Sequence, residues 1–246
     1  MTTPGVLLVE NRGAVRLLTM NRPEKRNALN TELTRALLDA LRAADADSAV
    51  GCVVLTGAGQ GFCAGADLGE FKGLKDPAAA EARAELTMQL HLSFSKTRVP
   101  VITSINGHAM GGGAGLAIAG DLALMAEGAK IGYPETKHGI VAAIVLGNLV
   151  RQVGRKAAFE LVSFGEPIDA QRALQLGMVN RVVPPDALFA ETFKMAERLC
   201  GVDRTALAET KKLFHEVADL PLERALEKGR DMNRRMRRFG RPEGKG

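Results

Sequence analysis

The 246-residue sequence has no uninterrupted apolar run of the roughly eighteen residues that a membrane-spanning helix needs. Its start lacks the basic and apolar segments of a secretory signal. Its three cysteines are odd in number and widely spaced, at positions 52, 63 and 200. Such cysteines are typical of a protein from a reducing compartment, and they do not indicate a disulfide framework or a metal site. We therefore expect a cytoplasmic protein with no membrane segment and no bound metal.

The net charge of +5 is concentrated at one end of the chain. Residues 228–246 contain eight basic and two acidic residues, so the rest of the chain is nearly neutral. A basic tail can bind RNA, but Phe239 is the only aromatic residue in this one, and single-strand binding normally uses several stacking side chains. We therefore do not expect a nucleic-acid partner.

Hydrophobic periodicity predicts an α/β protein. Apolar runs too short for helices predict strands over 6–9, 15–20, 50–56, 99–105, 121–126, 130–133 and 179–183. Helical spacing predicts helices over 31–46, 82–96, 114–119, 142–153 and 155–163, and almost throughout from 186 onward, with breaks near 201 and 221. Strand–loop–helix units thus recur at residues 50, 99 and 130. We predict a core over 1–195 and a helical segment with a basic tail over 196–246.

Two glycine-rich loops each follow a predicted buried strand. Residues 104–121 contain the triplet Gly111-Gly112-Gly113 ahead of a run of small residues, and residues 57–68 contain four glycines and three alanines. Glycine permits a positive φ and lets a ligand approach the main chain closely. A helix that begins at such a turn presents free N–H groups to an anion. A tight turn without a ligand is the alternative interpretation of either loop alone.

Five motifs occur together in a fixed order. They are Asn21-Arg22-Pro23, Gly61-Phe62-Cys63-Ala64-Gly65-Ala66-Asp67-Leu68, Asn106-Gly107-His108-Ala109-Met110-Gly111-Gly112-Gly113, Pro134-Glu135 and Ala173-Leu174-Gln175-Leu176-Gly177-Met178-Val179. Over about residues 6–200 they resemble the enoyl-CoA hydratase/isomerase (crotonase) superfamily. The resemblance implies a crotonase-like spiral of ββα units and a C-terminal helical trimerisation region, hence a homotrimer or a dimer of trimers. It also implies acyl-CoA substrates, with coenzyme A entering as part of the thioester and no permanently bound cofactor.

The resemblance also implies roles for particular residues. The catalytic groups would be the Glu135 carboxylate, which moves a proton, and the backbone amides of Ala64 and Gly112, which stabilise the negative charge of a thioester enolate. Lys25 or Arg26 would bind the phosphates of coenzyme A. The residues expected to contact the substrate are Lys25, Arg26, Ala64, Gly65, Ala66, Asp67, Gly111 and Gly115.

The sequence departs from the family pattern at Gly115, where the hydratases commonly carry a second glutamate. A single carboxylate suffices to carry a proton between C4 and C2, so the departure favours isomerisation of a 3-enoyl-CoA to a 2-enoyl-CoA. Gly115 would also leave space for a bulkier acyl group or an ordered water. Hydration of a 2-enoyl-CoA with one glutamate and non-catalytic acyl-CoA binding stay open as alternatives. Among the histidines, His138 could act as a further acid or base, whereas His91 and His215 give no sign of a site.

Overall fold

The computed structural model describes residues 5–239 of the chain. The strands are β1 (Leu7–Arg12), β2 (Val15–Met20), β3 (Cys52–Gly57), β4 (Gly61–Cys63), β5 (Val101–Ile105), β6 (His108–Met110), β7 (Leu122–Ala126), β8 (Lys130–Gly132), β9 (Ile168–Asp169) and β10 (Arg181–Val183). The helices are α1 (Thr31–Ala46), α2 (Leu68–Gly73), α3 (Pro77–Lys96), α4 (Gly112–Ala117), α5 (Ala143–Val153), α6 (Arg155–Phe164), α7 (Ala170–Gln175), α8 (Leu188–Cys200), α9 (Arg204–Val217) and α10 (Leu222–Phe239). Single 3₁₀ turns cover Pro23–Lys25 and Pro134–His138.

The strands form two sheets. The larger has the order β1-β2-β3-β5-β7-β10 and is parallel except for the β1–β2 hairpin. The smaller has the order β4-β6-β8-β9, in which β4, β6 and β8 are parallel and β9 is antiparallel to β8. The mixed α/β class predicted from periodicity is therefore confirmed.

Three consecutive repeats connect the two sheets. In each repeat a long strand joins the large sheet, the following short strand joins the small sheet, and a helix leads back to the next repeat. The pairs are β3 with β4, β5 with β6, and β7 with β8. This arrangement is the ββα spiral that the motifs predicted, and it places the ends of β4, β6 and β8 side by side.

Local sequence explains where the principal helices begin. Helix α1 has the predicted bounds because the Asn30 side chain accepts the N–H of Leu33, as an N-cap residue does. Helix α3 begins earlier than the predicted residue 82, because Asp76 caps the N–H groups of Ala78 and Ala79 and Pro77 occupies the first position. Glu135 was expected in a loop and instead lies in the 3₁₀ turn that follows β8.

The apolar core lies on the large sheet and continues beneath the small one. Helix α8 packs on strands β2, β3, β5 and β7. The predicted domain boundary after residue 195 falls inside α8, which is continuous to Cys200, and the division into two domains stays a prediction. Among residues 5–239, no helix combines the length and apolar composition required to cross a bilayer.

Helix α9 is attached to the core by a buried ion pair. The Lys211 ammonium donates to Asp121 Oδ2 at 2.7 Å, to the Val99 carbonyl at 3.0 Å and to Thr97 Oγ1 at 3.1 Å. Its side chain is only 5% exposed. Burial lowers the pKa of Lys211, and the charge of Asp121 opposes that shift. The C-terminal helices are therefore anchored to the strand–helix core.

We predict that Asp121→Ala lowers the free energy of unfolding by about 3–5 kcal/mol, because it leaves the buried Lys211 ammonium without its counter-charge. Urea denaturation followed by circular dichroism measures this change. The matched control is Asp219→Ala, which breaks the pair with Arg151 in which both side chains are over 60% exposed. That change should stay within about 0.5 kcal/mol. Equal losses in the two variants would contradict the prediction.

Candidate active site

The site lies at the carboxyl ends of three neighbouring parallel strands. Strand β4 leads into residues 64–67, β6 leads into Gly111 and Gly112, and β8 leads into Pro134 and Glu135. The Gly111 N–H donates to the Gly132 carbonyl at 2.8 Å, which holds the second and third loops together. Two glycine-rich loops and one carboxylate, far apart in sequence, therefore meet at one edge of the small sheet.

Ala66 presents a free amide to this edge. Leu29 forms a parallel bridge with Ala66: Leu29 N–H donates to the Gly65 carbonyl at 2.7 Å, and Asp67 N–H donates to the Leu29 carbonyl at 3.1 Å. In such a bridge the neighbours of the central residue make the hydrogen bonds, and the central N–H points the other way. Among residues 5–239, the Ala66 N–H makes no hydrogen bond.

The expectation that Ala64 supplies this amide is wrong. Its N–H donates to the Arg26 carbonyl at 2.9 Å, so it cannot also bind a thioester oxygen. Arg26 presents that carbonyl because its backbone adopts a positive φ of 49°. The buried side chain of Asn27 secures the same turn by donating to the carbonyls of Ala58 and Gly61. Within the loop that follows β4, the free amide belongs to the residue two positions later.

Gly112 supplies the second free amide. It is the first residue of α4, so its N–H has no partner within the helix, and no other acceptor among residues 5–239 binds it. A Cβ placed on Gly112 would lie 3.9 Å from the Ala66 nitrogen, so the two loops are in contact. Helix α4 has only six residues, so its dipole contributes less than the sequence suggested. An anion at this site would therefore be bound mainly by the N–H groups of Ala66 and Gly112, and less by the helix dipole.

Gly65 and Gly111 make this contact possible. Gly65 has a φ of 92°, and a Cβ there would lie 2.6 Å from the Met110 carbonyl oxygen. Gly111 has a φ of 54°, and a Cβ there would lie 3.1 Å from Glu135 Oε1. Side chains at either position would push the two loops, or the carboxylate, apart.

Glu135 lies against Gly111 in a half-buried position. Its Oε2 atom is buried and has no hydrogen-bond partner among residues 5–239. Burial raises the pKa of this carboxyl, while its own backbone N–H and the nearby His138 oppose the increase. A carboxyl group with a raised pKa beside two free amides is suited to taking up and returning a proton.

A cleft of about 710 Å³ opens in front of these groups. Its wall includes Lys25, Arg26, Ala66, Gly112, Glu135 and His138. Asp67 also lines it, but its carboxylate bonds Arg22 at 2.9 Å and caps α2, and the bond with Arg22 lowers the pKa of Asp67. Asp67 therefore stabilises the loop that follows β4. Lys25 and Arg26 provide the positive charge at the cleft. Within the part of the chain that the structure describes, no cluster of three metal-ligating side chains is present.

A second pocket, of about 350 Å³, adjoins the cleft at Ala66 and Gly112. Its lining is mainly apolar and includes Leu29, Phe71, Leu74, Ala80, Ala84 and Ile144. Arg83, at its wall, donates to the Leu29 carbonyl at 2.9 Å and pairs with Glu70 at 3.5 Å. Arg83 thus holds the strand segment that sets the direction of the Ala66 amide.

Gly115 does not leave the space expected of it. A Cβ on Gly115 would lie 2.6 Å from Val145 Cγ1 and 2.8 Å from His91 Cε1, so these two side chains already occupy the position. Gly115 is buried and is not among the lining residues of either pocket. Direct contact between Gly115 and a substrate therefore stays a prediction that this packing does not support.

Comparison with known proteins agrees with this geometry. The profile of the enoyl-CoA hydratase/isomerase family matches residues 10–239. The chain belongs to this family. Among relatives of the family, 2,3-dehydroadipyl-CoA hydratase of Escherichia coli K12 is 36% identical over 92% of this chain and 88% of its own.

Two solved structures in the family are also similar to the chain. The crystal structure of an enoyl-CoA hydratase from Mycobacterium smegmatis has a TM-score of 0.90 and 33% identity, covering 93% of this chain and 90% of its own. A monofunctional enoyl-CoA isomerase from M. smegmatis has a TM-score of 0.78 and 31% identity, covering 91% of this chain and 99% of its own. The family therefore includes similar proteins named for either reaction.

Sequence reasoning missed two residues of this site, Ala66 and Arg83, and one beside it, His91, which packs against Gly115. Ala66 was expected to contact substrate but not to be the amide donor, and no sequence pattern distinguishes its N–H from that of Ala64. Nothing in the sequence distinguished Arg83 from the exposed residues of a surface helix. His91 could have been noticed as a histidine four residues after Thr87 on the face of α3 that lines the apolar pocket.

We predict that Gly65→Ala lowers the free energy of unfolding by about 1–3 kcal/mol, because a methyl group would clash with the Met110 carbonyl at a strained φ. Urea denaturation measures the loss. The control is Gly73→Ala in α2, where a Cβ would meet no described atom within 4 Å. Stability there should be unchanged or slightly higher. If Gly65→Ala is as stable as this control, the close contact between the loops is contradicted.

Proposed function

We propose that this protein hydrates a 2-enoyl-CoA thioester. The observation that carries the proposal is the meeting of two free backbone amides, of Ala66 and Gly112, with the half-buried carboxylate of Glu135. In this proposal the thioester oxygen binds between the two amides. These donors stabilise the negative charge that develops on it, and losing one donor of this kind typically costs about 10²–10³ in rate.

The proposed reaction needs a single carboxylate. The water oxygen bonds to C3 while Glu135 takes one of its protons, and the electron pair of the C2=C3 bond moves toward the thioester oxygen. Glu135 then returns that proton to C2, which yields the 3-hydroxyacyl-CoA and restores the carboxylate. The proton moves over a short distance, and the raised pKa of Glu135 suits both its uptake and its return.

The two openings suit the two parts of such a substrate. In this proposal coenzyme A is part of the substrate and lies in the 710 Å³ cleft, with its phosphates near Lys25 and Arg26. The acyl group enters the adjoining apolar pocket of about 350 Å³. That volume is near the lower end of ligand pockets, so we propose an acyl group of short or medium length.

Isomerisation of a 3-enoyl-CoA to a 2-enoyl-CoA is the second candidate. It is favoured by the presence of one carboxylate rather than two at the site, and one similar structure is named for an isomerase. The sequence alone favoured this reaction because Gly115 stands where the hydratases of the family commonly carry a second glutamate. That position holds a second polar side chain, His91, and this observation moves our preference to hydration.

We further propose that the protein assembles through its C-terminal helices, as a homotrimer or a dimer of trimers. Leu222 and Leu226 of α10 are 74% and 65% exposed, and Phe214 of α9 is 65% exposed. Exposed large apolar side chains on adjacent helices are usual where another subunit packs.

We predict that Glu135→Gln reduces kcat on crotonyl-CoA by about 10²–10⁴, because the variant loses its proton-transfer group. Affinity for coenzyme A should change little, because Glu135 is assigned to proton transfer, whereas Lys25 and Arg26 are proposed to bind the phosphates. Loss of the enoyl thioester absorbance measures the rate, and calorimetry measures the binding. The control is Glu127→Gln, an exposed carboxylate in the turn after β7. Activity of Glu135→Gln within tenfold of wild type would contradict the assignment, and binding without turnover in wild type would identify a non-catalytic acyl-CoA binder.

We predict that the acidic limb of the pH profile of kcat/KM, where activity is lost as the pH falls, lies above the usual pKa of a glutamate. The reason is that burial raises the pKa of Glu135. The carboxylate is the active form, so activity falls as the pH falls through this pKa. Protonated His138 favours the carboxylate, so His138→Gln should move the limb to higher pH. The control His215→Gln, on α9, should leave it in place. A shift to lower pH in His138→Gln would contradict the electrostatic account.

A further inference from the structure

His91 is a buried polar side chain without a hydrogen-bond partner. It lies on α3 with 8% of its surface exposed, and neither ring nitrogen has a partner among residues 5–239. Burial lowers its pKa to about 4, so near neutral pH the imidazole is uncharged and offers one donor and one acceptor. Buried polar groups are nearly always hydrogen-bonded, to protein or to water.

The helices around the apolar pocket place His91 just beyond the residues that line it. Ala80, Ala84 and Thr87 of α3 line the pocket, and His91 follows Thr87 by four residues on the same helical face. On α4, Gly112 lines the pocket, and Gly115, which His91 contacts, follows one turn later. His91 is therefore one helical turn beyond the Gly112 amide.

A second unpartnered atom lies against Gly111, the N-cap residue of α4. Glu135 Oε2 is buried and has no partner in the described part of the chain, and Glu135 packs against Gly111. Gly115 N–H donates to the Gly111 carbonyl at 3.0 Å, so Glu135 contacts the N-cap residue of α4 and His91 contacts the position one turn later. Positions one helical turn apart are separated by about 5–6 Å. A water molecule with hydrogen bonds of about 2.8 Å to each group spans such a gap.

We propose that His91 and Glu135 together hold the water molecule that adds to the enoyl double bond. His91 is thereby a further catalytic residue, and this inference rests on the hydration proposed above. Its imidazole makes a hydrogen bond to the water and orients the oxygen toward C3, while Glu135 takes the proton and delivers it to C2. His91 neither gains nor loses a proton overall, so a neutral ring suffices. Isomerisation consumes no water and has no such requirement.

The experiment compares two reactions in each variant. One is the hydration of crotonyl-CoA, and the other is the isomerisation of 3-hexenoyl-CoA or, if wild type shows none, exchange of the C2 proton of hexanoyl-CoA with heavy water. His91→Phe keeps the volume of the ring and removes both nitrogens, whereas His91→Gln keeps a donor and an acceptor. Because both rates come from one sample, the fraction of folded protein cancels in their ratio.

We expect the ratio of hydration to the reference reaction to fall about tenfold or more in His91→Phe, which corresponds to the loss of one hydrogen bond to the water. His91→Gln should recover part of that loss. The control His215→Gln should keep the wild-type ratio, since it changes a histidine on α9.

The remaining outcomes are distinguishable. A ratio in His91→Phe within twofold of wild type overturns the water site and leaves the proposed function standing. A wild-type protein that isomerises but does not hydrate overturns both hydration and the water site, and leaves isomerisation. A wild-type protein that turns over neither thioester overturns the proposed function itself.

Discussion

The parallel pairing of β4, β6 and β8 is the constraint on which the candidate site depends. Each strand has three residues, and each ends at a group that the site uses: the Ala66 loop, the Gly112 amide and the Glu135 carboxylate. Parallel strands bring their carboxyl ends to one edge, so residues about 70 positions apart in sequence converge there. Because the long strands of the same repeats form the large sheet over the core, the small sheet is held in place by the most buried part of the molecule.

Backbone hydrogen bonds, more than side chains, decide which atoms face the cleft. Leu29 binds the residues on either side of Ala66 and leaves its N–H free, while the Arg26 carbonyl binds the N–H of Ala64. Arg83 of α3 donates a hydrogen bond to the Leu29 carbonyl, and the Arg22–Asp67 ion pair holds the end of the loop that follows β4. Glycine at 65 and 111 then lets the loops come into contact. In the function proposed above, donors held in this way are preorganised, because they need no rearrangement when negative charge develops.

The burial pattern at α4 gives the site an unusual composition. Glycine at 115 admits the side chains of Val145 and His91 to a place that a longer side chain would otherwise occupy. The polar group at that depth therefore comes from α3, and it is neutral rather than charged. A neutral ring in an apolar surrounding avoids the desolvation cost of a second carboxylate and also the repulsion between two close carboxylates, which disfavours their ionisation.

The sequence by itself determined the α/β class, the recurring strand–loop–helix units and the family, because these depend on local periodicity and on motifs with a fixed order. It also identified Glu135, Gly112 and the cationic pair Lys25 and Arg26 as candidates. Only the tertiary structure decided that Ala66 rather than Ala64 has the free amide, since that depends on which carbonyl each N–H meets after folding. It also decided that Gly115 is filled rather than open, because the filling side chains come from α3 and α5. Hydrogen-bond partners and packing neighbours that are distant along the chain depend on how separate helices and strands pack together. They cannot be identified from the local sequence.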